Sequence, residues 1–264
     1  MYWLIQSKFT KDPKLKELVA NLERMEVNHS FCWVVPFSED GLNSDIDLDS
    51  IDEPIFCYGS YTLSKIAVKK GYRPGAYISP MISLNNLLDH YGDEMLNNDM
   101  EFYALKDVLD NVPDTFFARP MEDSKSFTAE VTTKKEFGKF VKGIENIGKK
   151  FSTVTMETMV AVSKPKPIQR EIRFFIVDGK ISTYSSYKIG DYVNYDQFVD
   201  QYIIDYVENI IDIWGPDRAY CLDIAISDGQ PKILEVNSIN SSGLYAIDTQ
   251  KFIQSINELD RVLV

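Results

Sequence analysis

Two Asp-Gly dipeptides, Asp178-Gly179 and Asp228-Gly229, constrain this chain more than any other feature. Each lies between two runs rich in β-branched and aromatic residues, 171–177 with 180–187 and 220–226 with 232–237. Asp-Gly accepts the positive φ angles of a tight turn whose twist matches that of paired strands, so both segments are predicted as antiparallel hairpins. A chain with two such hairpins cannot be all helical, and half of it must be built around an antiparallel sheet.

The remaining segments fill in around these hairpins. In the first half, 2–6, 31–35 and 55–58 are short apolar strands, while Leu15, Leu18, Val19 and Leu22 give 13–25 a helical spacing. The acidic stretch 38–53 has the composition of a loop. At Gly59-Ser60 a strand passes into a helix running to about 70, and 84–91 is a second short helix. That junction is either a serine-capped turn or a place where helix N-terminal amides hold an anion. From about residue 115 the pattern changes to strands at 116–119, 127–131 and 153–162, with helices at 134–149, 195–213 and from Asp248 onward. The expected class is α+β, with a mixed α/β N-terminal part and a boundary near Val112 that divides 1–112 from 113–264.

Composition excludes several functions. Forty acidic residues against 28 basic ones give a net charge of -12, the opposite of a general nucleic-acid binder. Three dispersed cysteines (Cys32, Cys57, Cys221) make no disulfide or zinc framework, and two histidines (His29, His90) make no histidine metal site. No apolar run approaches a membrane span, and the first residues lack the basic flank and long apolar core of a secretion signal. These features predict a cytoplasmic protein without a membrane partner.

The second hairpin carries the chemistry. Asp223 stands between Leu222 and Ile224, and Glu235 between Leu234 and Val236. A two-residue turn at Asp228-Gly229 would place the two acids on opposite faces. A three-residue loop, Ser227-Asp228-Gly229, would put Asp223, Glu235 and Asn237 on one face, the acids about 7–8 Å apart as diagonal neighbours. The second register is the expectation. It gathers hard oxygen donors of the kind Mg²⁺ takes; the alternative is a set of solvated polar residues on an outer face. Two close carboxylates repel unless a cation or a proton lies between them. Arg119, Lys125, Arg173 and Lys188 fall at the ends or edges of strands and could face phosphate, Arg as a planar fork and Lys as a point charge.

The order Arg-Pro-x4-Lys-Ser-Phe-Thr (119–128), Glu-Ile-Arg-Phe-Phe-Ile-Val-Asp-Gly-Lys (171–180), Leu-Asp-Ile (222–224) and Glu-Val-Asn-Ser-Ile-Asn-Ser-Ser-Gly-Leu-Tyr (235–245) resembles the ATP-grasp superfamily. More narrowly it resembles a clade of small bacterial and phage ATP-grasp proteins in which Arg replaces the usual first Lys. The resemblance spans about 115–245, and upstream it takes in Tyr72-Arg-Pro-Gly-Ala-Tyr and the segment from His90. It implies a nucleotide cleft between two α+β subdomains, about 113–162 and 163–264. It also implies ATP and Mg²⁺ as cofactors, and activation of a carboxylate as an acylphosphate for attack by an amine or thiol. Substrates would be small-molecule or peptide carboxylates and amines, in a bacterial or host cytoplasm. A non-catalytic nucleotide-binding protein and a kinase on the same fold are the alternatives.

Carried over by residue, the resemblance assigns Asp223, Glu235 and Asn237 to the metal. Arg119 and Lys125 would meet ATP phosphates, and Arg173 with Lys188 would be catalytic. Val160, Val162 and Ser163 belong to a strand whose backbone would read adenine, and Glu157 and Glu171 complete the nucleotide set. The polar loop 238–245 would place Asn240, Ser241 and Ser242 on the acceptor side of the cleft, Asn240 and Ser242 also counting among the nucleotide contacts. Its other reading is a connector into the C-terminal helix.

Overall fold

The structure is a computed structural model that describes residues 1–9, 11–35, 40–121, 127–147 and 154–259. The chain forms two compact units, one built from 1–82 together with 168–264, the other from 83–167. Val112, where the composition changes, lies within the second unit.

The N-terminal part of the first unit is a five-stranded sheet. Its elements are β1 (Tyr2–Gln6), α1 (Pro13–Arg24), β2 (His29–Val34), β3 (Leu42–Ser44), β4 (Ile55–Tyr58), α2 (Tyr61–Lys69) and β5 (Pro74–Gly75). The strand order is β3-β2-β1-β4-β5, and β1 pairs in parallel with both β2 and β4. Asp12 caps α1 through Lys14 N and Leu15 N, and Pro13 at the first helical position is pre-set for helix. Ser60 caps α2, its hydroxyl accepting from Leu63 N at 3.4 Å. Its own N–H is taken by Gln6 Oε1 at 2.8 Å, so the Gly-Ser junction is a capped turn with its amide engaged. Part of the stretch expected as loop at 38–53 is ordered as β3 and a 3₁₀ turn, Leu48–Ser50.

The second unit contains α3 (Leu84–Tyr91), β6 (Glu101–Ala104), α4 (Val108–Asn111), β7 (Thr115–Pro120), β8 (Glu130–Thr133), α5 (Lys134–Ile147) and β9 (Met159–Ser163). Its antiparallel sheet runs β6-β9-β7-β8 over a core that includes Phe116, Phe137, Val141, Val160 and Val162. Two strand assignments shift. Phe127 does not start a strand; its ring packs on Phe140 and Phe137 at 5.4 and 6.4 Å, and pairing begins at Glu130. The strand expected from 153 begins only at Met159. Thr155 N donates to Thr158 Oγ1 at 2.8 Å and Thr158 N to Thr155 O, a local turn that competes with extended pairing. Thr153 and the last residues of the helix expected to 149 lie outside the described residues.

The C-terminal part returns to the first unit with β10 (Arg170–Val177), β11 (Lys180–Ile189), β12 (Tyr192–Asp196), α6 (Gln201–Ile213), β13 (Ala219–Ser227), β14 (Gln230–Ser238) and α7 (Thr249–Glu258). The sheet order is β12-β11-β10-β13-β14, antiparallel throughout. The helix expected over 195–213 starts six residues late, because Tyr192–Asp196 pairs with β11 as an edge strand. One core joins the two sequence segments of this unit. Trp3 meets Phe56 and Phe252 edge-on, Phe252 meets Phe175, and Trp3 Nε1 donates to Asn257 Oδ1 at 2.9 Å. Among the described residues no helix is long and apolar enough to cross a membrane.

Candidate functional site

β10 and β13 are neighbours, and their register places Arg173 opposite Asp223. The guanidinium grips the carboxylate with two bonds, Nε to Oδ1 at 2.7 Å and Nη2 to Oδ2 at 2.6 Å. Asp223 is fully buried and the Arg173 side chain only 8% exposed, so this is a desolvated, bidentate pair. Burial pushes the Asp223 carboxyl up to about 7; the Arg173 guanidinium pulls the other way, and Glu235 adds to the rise. For Arg173, burial works against the charge, but the Asp223 carboxylate outweighs it and holds the guanidinium above its ordinary value.

On the other side of β13, Asp223 faces Glu235 and Cys221 faces Asn237. Residues paired directly across antiparallel strands share a face, so Arg173, Asp223, Glu235 and Asn237 lie together. The route to this arrangement corrects the expected one. The turn is the two-residue form: Ser227 pairs with Gln230, and Asp228 and Gly229 have φ of 50° and 75°. Uninterrupted, that turn would send Glu235 to the far face. A bulge intervenes: Ile224 pairs with Ile233 and Asp223 with Glu235, leaving Leu234 as an extra residue that inverts the alternation. The acids are therefore direct neighbours rather than diagonal ones.

Asn237 Nδ2 donates to Glu235 Oε1 at 2.8 Å and to Asp223 Oδ2 at 3.4 Å. Arg173 Nη2 also comes within 3.9 Å of Glu235 Oε1. With both carboxyls ionised, the two carboxylates against one guanidinium leave one net negative charge. No point among the described residues gathers three or more His, Cys, Asp or Glu side chains. The donor set is two carboxylates and an amide, which fits Mg²⁺, an ion that takes one or two protein carboxylates and completes its shell with water and phosphate oxygens. The Glu235 side chain, 39% exposed, offers the accessible oxygens, with Asp223 beneath it.

Sequence reasoning left two members of this centre without a role. The Tyr245 ring stacks on Tyr187 at 4.8 Å, and the Arg173 guanidinium lies 5.1 Å from the first ring and 5.7 Å from the second. They hold the guanidinium from the side that Asp223 leaves open. Both lie in segments the hairpins and the family resemblance single out, but no spacing rule brings position 245 over position 187. Lys188 pairs with Glu171 at 2.9 Å on the same sheet face.

The loop after β14 is mostly structural. Asn240 is fully buried with its amide spent inside the unit: Oδ1 accepts from Tyr77 N at 2.8 Å, and Nδ2 donates to Cys57 O at 2.6 Å and to Gly75 O at 3.4 Å. It cannot line a cleft or touch a nucleotide, and this corrects its assignment. Ser242 is 5% exposed, donates to Ser238 O at 2.8 Å, and its carbonyl accepts from the Tyr58 hydroxyl at 2.5 Å.

The remaining expected residues belong to the other unit. Arg119 stands on β7 opposite Ala161, half-buried, with Nε directed at its neighbour's carbonyl, Pro120 O, at 3.4 Å. Glu157 is exposed and paired with Lys106 at 2.9 Å. The reading of 160–163 as a backbone that meets adenine is corrected over its first three residues. β9 is an interior strand between β6 and β7, so the peptide groups of Val160, Ala161 and Val162 are engaged in the two ladders. Ser163 Oγ bonds Asn97 Oδ1 at 3.2 Å. Lys125 lies outside the described residues.

The fold has solved counterparts. D-alanine–D-alanine ligase from Bacillus anthracis matches with a TM-score of 0.61 at 16% identity, over 99% of this chain and 98% of that one. The D-cycloserine synthetase DcsG matches at 0.63 and 11%, over 98% and 99%. The ATP-grasp ligase PsnB, solved with its precursor peptide and AMPPNP, matches at 0.57 and 11%, over 98% and 96%. At these identities the likeness is one of fold. No curated protein matches at the level of sequence. Residues 99–255, more than half the chain, match the profile of an ATP-grasp domain, the second family of its clade, and the chain belongs to that ATP-grasp family.

Proposed function

We propose that this protein is a Mg²⁺-dependent ATP-grasp ligase that activates a carboxylate as an acylphosphate for attack by an amine or a thiol. The observation that carries the reading is the centre on the β10–β13–β14 face, where a fixed guanidinium lies beside two facing carboxylates and an amide. Membership of the ATP-grasp family and the ligase neighbours support an enzyme of this kind.

The residues divide by role. Glu235, Asp223 and Asn237 would hold Mg²⁺, which when bound supplies charge neutralisation for nucleotide phosphates. Arg173, clamped by Asp223 and flanked by two tyrosine rings, presents a positive charge that needs no reorganisation as negative charge develops on the transferred group. Phosphoryl transfer rests on positioning and charge stabilisation, so a centre without a nucleophilic side chain suffices. Lys188 adds a second cation on the same face, oriented by Glu171. Arg119 and Lys125 are proposed for the ATP phosphates.

The test is release of ADP or AMP with product formation over a panel of carboxylates and amines, in the presence of Mg²⁺. Asp223→Asn and Glu235→Gln should each lower turnover by about 10²–10³-fold, the scale of losing one stabiliser of developing charge. ATP binding without turnover would mean a nucleotide-binding protein, and ADP formation with a phosphorylated hydroxyl product would mean a kinase.

A further inference from the structure

Among the described residues the sheet edges differ in how they are covered. β3 and β5 are three and two residues long. β14 carries Pro231 and Lys232, and β6 and β8 open on Glu101 and Glu130. Short length, proline and charge are the usual guards of an open edge. β12 has neither proline nor lysine, its one charge is Asp196 at its end, and Tyr192, Val193 and Tyr195 are 80%, 71% and 57% exposed along it. Phe198, just beyond, is 66% exposed. Such a strand offers main-chain donors and acceptors flanked by bare apolar side chains.

The edge is also continuous with the candidate site. The register break between β11 and β12 turns Tyr195 onto Tyr245, 5.3 Å between ring centres, and Tyr245 stacks on Tyr187 beside Arg173. Its charge has one sign. Asp191 has no ion-pair partner among the described residues, and the Asp196 carboxylate accepts from the Phe198 N–H with no cation paired to it among those residues. The nearby cations are spent, Lys188 on Glu171 and Arg170 on Asp200.

We propose that β12 is the docking strand for an extended, basic polypeptide, which adds to the sheet edge and presents its reacting group toward the Arg173 centre. Strand addition draws affinity from main-chain hydrogen bonds and specificity from alternate side chains. Five residues of edge give a footprint of about 17 Å, enough for a segment of roughly five or six residues. The aromatic rings supply apolar contact and Asp191 and Asp196 select for Lys or Arg. This inference rests on the ligase reading and names its substrate class as a polypeptide.

The probe is a fluorescein-labelled, end-blocked hexapeptide of alternating lysine and valine, with a glutamate–valine hexapeptide as control, titrated against the full chain. The lysine peptide should bind at least tenfold more tightly than the control, and it should slow amide exchange at 192–196. Asp191→Lys and Tyr195→Ser should each weaken it by about fivefold or more without changing ATP binding, while Glu235→Gln should leave it intact. Equal affinity for the two peptides, unaltered exchange in β12, or edge-to-edge pairing of two copies would overturn the inference. Absence of peptide binding in a protein that ligates small carboxylates would sink the docking strand and spare the ligase reading. Peptide binding without any ATP turnover would do the reverse.

Discussion

The two Asp-Gly hairpins begin alike and end differently. Both turns are two residues long, with Asp and Gly at positive φ in each. In the β10–β11 hairpin the ladder breaks twice, between Phe175 and Ile176 and between Glu171 and Ile172. Each break adds one residue, and two breaks restore the original alternation. Glu171 and Lys188 therefore share a face whether or not the bulges exist; the bulges only bring them directly opposite. In the β13–β14 hairpin there is a single break, at Leu234, and a single break inverts the alternation. Glu235 meets Asp223 because of that one residue. The parity of the bulges, not the turn, decides which face receives a carboxylate.

The largest effect that tests this comparison is on stability. Asp223→Ala leaves the buried Arg173 charge without its partner and should cost about 3–5 kcal/mol in urea unfolding. Lys188→Ala in the first hairpin removes a half-exposed charge, leaves the Glu171 side chain, 11% exposed, without its cation, and should cost less, about 1–2 kcal/mol. Similar losses in the two variants would mean that the Arg173–Asp223 pair is not desolvated as described.

Asn240→Ala should come next. It leaves the Tyr77 N–H and the Cys57 carbonyl buried without partners, a loss of about 2–3 kcal/mol, visible as a lower denaturation midpoint. ATP affinity should stay unchanged, which separates a structural amide from a ligand contact. Weakened ATP binding with normal stability would return Asn240 to the cleft.

Deleting Leu234 sharpens the comparison directly. The bulge disappears, yet Glu235 then follows Ile233 in regular alternation and still faces Asp223. Mg²⁺-dependent turnover should remain within about tenfold of the parent, a change of about 1.4 kcal/mol or less in barrier. Its collapse would show that the bend of the bulged strand places Glu235, beyond the pairing itself.

The smallest effect concerns the turns. Gly179 and Gly229 have φ of 71° and 75°, and a Cβ at either position meets no atom within 4 Å. Gly179→Ala and Gly229→Ala should each cost about 1 kcal/mol, from backbone conformation alone. Unequal costs would mean that one turn is held by contacts the other lacks.

Local chemistry made much of the molecule legible. Asp-Gly named both hairpins, a serine cap named the start of α2, and helical spacing named α1. The residues Arg173, Asp223 and Glu235 could be picked out because charged side chains between apolar neighbours on strands need a reason to be there. What the residues could not disclose was any pairing that depends on distant neighbours. β6 makes β9 an interior strand, and so engages the backbone expected to read adenine. Tyr77 and Cys57, more than 160 residues away in sequence, take up the Asn240 amide.

The sequence by itself determined where the two hairpins turn, the serine cap of α2 and the identity of the charged groups, because these rest on φ preferences and hydrogen bonds within a few residues. Only the tertiary structure decided that Glu235 faces Asp223, that Tyr245 lies over Arg173, and that β12 ends the sheet with its aromatic side chains exposed. A bulge, a ring stack and an exposed edge are each settled by which strand lies alongside, and long-range packing, not local preference, makes that choice.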